Sequence, residues 1–107
     1  GIAQAVCEGL AFGEALGLKP ESLVPTLAAG AAGNWFIDKR GATMLADNFM
    51  PGFKSALLLK DLHIVQAMAD ALGKHYSVVG QSLADCQKLV DAGFGEEDTS
   101  ALIRLKR

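Results

Sequence analysis

Phe53 and the adjacent pair Lys60-Asp61 are the residues whose types and spacing best suit ligand chemistry. Leu57 and Ile64 fall at helical steps from Phe53 and Lys60, so Lys60 shares a helix face with three apolar side chains and its ammonium emerges from an otherwise apolar stripe. Asp61 turns about 100° away, onto the face shared with Lys54. Two readings follow. In one, Lys60 is a snorkelling lysine beside a solvated carboxylate. In the other, it reaches a phosphate, carboxylate or amide oxygen of a ligand at the mouth of a cleft, with Phe53 as a flat apolar wall.

Other chemistry-bearing residues carry less. No Gly-rich phosphate loop follows a strand, and neither His-Glu-x-x-His nor Cys-x-x-Cys occurs. His63 and His75 are not spaced as a ligand pair and are expected to be partly exposed, so no metal is predicted. Cys7 and Cys86 lack a basic neighbour that would favour a thiolate and are expected as buried small hydrophobes. Their wide separation is unlike a disulfide scaffold and fits a reducing compartment, cytoplasmic or, in a eukaryote, the mitochondrial matrix. Gln81-Ser82-Leu83 suggests a carrier-protein attachment serine, but Gln81 stands where such a motif needs Asp.

The elements that must position these residues read as helices throughout. Ile2, Val6, Leu10 and Leu16 mark a first helix from Gly1, stopped by Gly17 with Leu18 and Pro20 beyond. A second runs from Pro20 to Ala29, with Pro25 either kinking it or marking its first turn. The Ala/Gly run from Ala28 to Gly33 reads as a tight connection to a third helix, from Asn34 to Arg40. Gly41 to Gly52 reads as a loop with at most one turn around Met44. The longest helix spans Phe53 to Leu72 and is closed by Gly73; a fifth spans Val78 to Ala92 and ends at Gly93. A sixth starts on Asp98 as N-cap and ends in Arg104, Lys106 and Arg107, where cations suit a helix C-terminus. The fold class is an all-α multi-helix bundle.

Composition limits what such a bundle can do. The chain has 107 residues, 10 Lys+Arg against 12 Asp+Glu, and a formal charge of -2. That balance lacks the basic field of a nucleic-acid module. No apolar run approaches the roughly 20 residues of a membrane span, and no signal peptide stands at the start. A mean hydropathy of +0.26 with half the residues hydrophobic is rich for a domain this small, which predicts a partner surface. The helical pattern begins at once, without a capping residue, as if it continued an upstream helix.

Asn48 to Lys54 followed by Leu57 to Leu62 resembles the F-x-P-G-F-x-x-x-L-x-x-K-D-L signature of the β-hydroxyacid dehydrogenases, among them 3-hydroxyisobutyrate dehydrogenase, tartronate semialdehyde reductase and 6-phosphogluconate dehydrogenase. Ala11 to Leu18 is similar to that family's A-x-x-E-A helix end, and Gly93 to Ala101 to its G-x-G-x-x-D-x-S-A segment. The resemblance covers nearly the whole chain.

It implies that residues 1–107 are a C-terminal helical domain that closes an active site and dimerises, and that a Rossmann domain lies outside this chain. It further implies an NAD(P)-dependent oxidoreductase acting on a small 3-hydroxyacid, with NAD or NADP bound mainly by the other domain. The family's catalytic lysine would fall upstream of Gly1, leaving no catalytic residue in this chain and the chain inactive alone. Lys60 matches the family lysine near the nicotinamide end of the cofactor, Phe53 an aromatic lining the pocket, and Asp61 an acid that shapes the site. The partners implied are a hydroxyacid, the Rossmann domain and a second subunit. A non-catalytic helical interaction or dimerisation module is the alternative.

Overall fold

Turn-forming residues divide the chain into five α-helices and a short C-terminal 3-10 helix. In a computed structural model, which describes residues 1–107, these are α1 (Ile2–Ala15), α2 (Pro20–Ala28), α3 (Trp35–Leu45), α4 (Ser55–Ala71) and α5 (Ser77–Leu89), then a π-helical stretch (Val90–Phe94) and the 3-10 helix (Thr99–Leu105). The expected all-α class holds, and the lone β-type contact is an isolated bridge between Lys54 and Asp98.

Three helices end alike. Gly17 (φ +80°) closes α1 with its N–H on Glu14 O and the Leu18 N–H on Gly13 O; Gly73 (φ +66°) closes α4 through Asp70 O and Ala69 O. This paired return of amides is the Schellman arrangement. At the end of α3 it recurs with Asp47 (φ +55°) in the left-handed position, its amide on Met44 O and the Asn48 amide on Thr43 O.

Several expected boundaries move. α3 continues past Arg40 to Leu45 through a segment read as loop. Gly41 is not a break there: a Cβ on it would lie 2.9 Å from Val24 Cγ1, so the missing side chain lets α3 lie close against α2 and bury Met44. Close packing offsets the roughly 1 kcal/mol that a mid-helix glycine costs. α4 starts at Ser55 rather than Phe53. α5 ends at Leu89, and Gly93 (φ +95°) lies inside the π-helical stretch. The final element is 3-10 rather than α. Pro25 neither opens nor breaks α2, because the carbonyl that loses its amide partner belongs to exposed Glu21, in the first turn. Asn34 caps α3 as expected, accepting the Ile37 N–H at 3.0 Å.

The main core joins Val6, Cys7 and Leu10 of α1 to Val24, Met44, Leu89, Leu102 and neighbours from α2, α3, α5 and the 3-10 helix. α4 contributes nothing to it. This helix buries only Ser55, Leu59 and Ala69 and packs chiefly on α5, so α4 and α5 form a hairpin beside the body. The chain measures 44 × 31 × 22 Å, and its 14.3 Å radius of gyration exceeds the roughly 13 Å of a compact chain this size.

The basic C-terminal residues bond across the fold rather than to their own helix end. Lys106 Nζ lies 2.9 Å from Asp85 Oδ2 of α5 and 3.3 Å from Glu8 Oε1 of α1. Arg107 pairs with Glu14 and Asp47 and donates to Met44 O and Leu45 O, so it caps α3. Burial alone would raise the Asp85 carboxyl, but hydrogen bonds from Lys106, Gln81 and Gln4 outweigh it and hold the group below the ordinary 3.8. Burial likewise disfavours the Lys106 ammonium, yet Asp85 and Glu8 raise it above the ordinary 10.5.

The sign follows for both groups. The depressed carboxyl lends stability that is present above its unfolded value and lost as pH falls through the folded one; the raised ammonium lends stability that is lost only as pH rises past its own range. Urea midpoints should therefore stay nearly level from about pH 5 to 9 and fall below about pH 4, with a shallower acid limb in Asp85→Asn. A midpoint that holds unchanged to pH 3 would contradict this.

Candidate functional site

The loop from Ala46 to Lys54 leads into α4, and residues far along the chain hold it. Asp98 is almost wholly buried, and its Oδ1 accepts the amides of Gly52 and Phe53, both at 3.0 Å. Its Oδ2 accepts the Ser100 N–H at 2.9 Å and the Ser100 hydroxyl at 2.6 Å, and Arg40 Nε stands 3.4 Å from the same oxygen. Burial would raise this carboxyl; the bonds from Ser100, Phe53 and Gly52 prevail and lower it. Main-chain bonds reinforce the join: Asp98 N–H to Phe49 O, Thr99 N–H to Phe53 O and Ser55 N–H to Glu97 O.

Phe53 emerges from this frame as a 41% exposed residue, directly ahead of α4. Lys60 lies two turns on, its side chain 64% exposed, at the edge of a shallow groove of about 550 Å³ along α4 that Ala56, Leu59, His63, Ile64 and Ala67 also line. Phe53 and Asp61 do not line that groove. Asp61 is 51% exposed and, although it starts on a different face, its Oδ1 lies 3.3 Å from Lys60 Nζ. The flexible lysine stem spans the angular offset, so the two charges meet. Lys54 turns instead to Glu96, at 2.6 Å. Leu57, Ile64, Met68 and Leu72 on the same side of α4 are all exposed.

This arrangement offers an aromatic ring on a fixed backbone, a mobile cation two turns away and an apolar surface alongside. It suits one edge of a flat, polar-tipped ligand. It holds no phosphate-cradling loop, and no three His, Cys, Asp or Glu side chains gather where a metal could sit.

Elsewhere, Cys7 and Cys86 are free and buried as expected, with burial pushing the Cys7 thiol to about 12 and raising that of Cys86. Ser82 is buried inside α5, not at its head, so it offers no accessible attachment point. His63 and His75 are both exposed, the former on the α4 groove. Arg40 stacks over Trp35 at 5.3 Å and occupies the space a side chain on residue 52 would need. The spacing of Phe53, Lys60 and Asp61 gives no sign of Arg40, and Gly52 beside Pro51 reads in the sequence as a turn glycine rather than as room for a distant side chain.

The chain belongs to the family described as NAD-binding of NADP-dependent 3-hydroxyisobutyrate dehydrogenase, whose model matches residues 1–106. Its fold superposes on 3-hydroxyisobutyrate dehydrogenase of Salmonella typhimurium with a TM-score of 0.89 and 23% identity, covering 96% of this chain and 36% of that one. For the Mycobacterium tuberculosis 3-hydroxyisobutyrate dehydrogenase the TM-score is 0.87 and the identity 24%, over 99% of this chain and 38% of that one. In sequence it is 32% identical over 105 residues to 2-hydroxy-3-oxopropionate reductase of Escherichia coli, covering 94% of this chain and 35% of that protein. An uncharacterized oxidoreductase of Bacillus subtilis is 29% identical over 100 residues, again 94% of this chain and 35% of the relative. The chain thus spans about a third of the length of the relatives it matches. The fold is that of the C-terminal helical domain of these dehydrogenases, and the family is one of NAD(P)-dependent oxidoreductases.

Because Lys60 and Asp61 are exposed and pair only with each other, removing the cation should leave the fold intact. Lys60→Ala is expected to shift the unfolding free energy by less than about 0.5 kcal/mol in urea titrations. A loss above about 2 kcal/mol would mean that Lys60 supports the structure.

Proposed function

We propose that this chain is the C-terminal helical domain of an NAD(P)-dependent dehydrogenase of a small 3-hydroxyacid, completing an active site whose Rossmann domain and catalytic lysine lie outside residues 1–107. The observation that carries the reading is the family match over residues 1–106 by a chain spanning only a third of its relatives. The site residues fit the part assigned to them. Phe53 supplies a flat wall against the nicotinamide end of NAD or NADP, and Lys60 exchanges its solvent-exposed partner Asp61 for a cofactor oxygen. Asp61, released or retained, shapes the electrostatics beside it. The cofactor supplies the hydride acceptor when bound; the proton transfer falls to the family's catalytic lysine, upstream of Gly1.

The test is a comparison of two lysines in the full-length enzyme. Lys60→Ala should weaken NAD(P)H affinity about tenfold, the equivalent of about 1.4 kcal/mol, whereas Lys54→Ala, committed to Glu96, should change it less than about twofold. Equal small effects would return Lys60 to the snorkelling role. A coding sequence that begins immediately before Gly1 would withdraw the enzyme reading altogether and favour the second one, a helical interaction module, for which the exposed apolar side of α4 is the supporting observation.

Both readings place that side of α4 in an interface, in the first against the Rossmann domain and a second subunit. Multi-angle light scattering of the 107-residue chain should show a mass above 11.2 kDa that rises with concentration. A clean monomer at the highest soluble concentration would count against self-association.

A further inference from the structure

We propose that Asp98 is a positioning residue for Phe53, and so sets the affinity of the domain for its dinucleotide; the inference rests on the reading that Phe53 faces the cofactor. Capping the 3-10 helix occupies one carboxylate oxygen, Oδ2, which takes the Ser100 N–H and hydroxyl. Capping leaves Oδ1 unexplained. That oxygen reaches a loop 45 residues earlier in the chain and accepts the amides of Gly52 and Phe53 together.

Both main-chain polar groups of Phe53 are thereby committed to two adjacent residues, the N–H to Asp98 Oδ1 and the carbonyl to the Thr99 N–H at 2.9 Å. Asp98 O also accepts the Ser55 hydroxyl at 3.2 Å, so the first residue of α4 is tied to the same point. Phe53 nevertheless stays exposed, at 41% for the whole residue. A ring serving only the core would be buried, and a loop serving only as a connection would not need its backbone fixed on both sides of an exposed aromatic. Arg40 closes the outer side of the device, pairing with Asp98 in the space left by the missing side chain of Gly52. Gly52 is therefore required for room rather than for backbone freedom.

Two variants in the full-length enzyme separate this role from capping. Asp98→Ser keeps a good N-cap residue but is too short to reach the loop amides. Gly52→Ala leaves the Ser100 bonds in place and displaces Arg40. In both, KM for NAD(P)H is expected to rise about five- to tenfold with kcat within about twofold, and the Phe53 amide to exchange with deuterium at least about tenfold faster while the Leu10 and Met44 amides are unchanged. Should Asp98→Ser not fold, Gly52→Ala decides alone.

An unchanged KM in the folded variants would overturn the inference and leave Asp98 a cap. If Lys60→Ala raises KM and neither of these variants does, the cofactor reading stands and the positioning role falls. An unmodified enzyme showing no saturable dependence on NAD(P)H would overturn both.

Discussion

A carboxylate taken out of water has to be matched donor for donor, or it destabilises whatever encloses it. Asp98 meets that demand with the amides of two distant residues, the N–H and hydroxyl of Ser100 and the Arg40 guanidinium. Because these donors come from three separate stretches of chain, satisfying one buried charge fixes the start of α4, the start of the 3-10 helix and the middle of α3 relative to one another. The Pro51-Gly52-Phe53 and Asp98-Thr99-Ser100 segments are then two halves of one device. Their joint presence in the sequence reflects a single electrostatic requirement rather than two independent features.

The rest of the molecule divides around that join. On one side is a body whose core is filled by α1, α2, α3, the 3-10 helix and the end of α5 at Leu89; on the other, α4 packs on α5 with Leu57, Ile64, Met68 and Leu72 uncovered. This explains the apolar excess of the composition. The surplus does not thicken the core; it lies on the surface, on α4 and also at Phe12, Leu16, Trp35 and Met50. Lys60 and Asp61 interrupt that surface with a mutually neutralising pair that costs little to separate, since both are exposed.

Much of this was legible because helix ends are local chemistry. Gly17, Gly73 and Asn34 announce their roles through backbone conformation or side-chain acceptors, and the structure bears each of them out. The errors cluster where a tertiary contact overrides local preference. Gly41 looks like a break until Val24 is placed against it, and Asp47 does not look like a terminator because glycine usually takes its conformation. Of the site, the place of Lys60 beside Leu57 and Ile64 on α4 could be read from spacing, whereas Phe53 precedes the helix and does not share its face. The pairing of Lys60 with Asp61 could not, since angular arithmetic on a helix ignores the reach of a four-carbon stem, and neither could the second use of Asp98, which depends on a partner 45 residues away.

The contacts of the last few residues also bear on how the chain is made. Ala101, Leu102 and Ile103 are buried in the main core, Cys7 donates to Ser100 O across 93 positions, and Arg107 reaches Glu14 across the same separation. A nascent chain that has not yet released these residues from the ribosome carries α1 with part of its apolar face open, even where α2 and α3 have packed on it. Closure of the body thus waits for residues 101–107, through non-local contacts that form slowly. Until then the part of α1 that packs on the 3-10 helix stays uncovered.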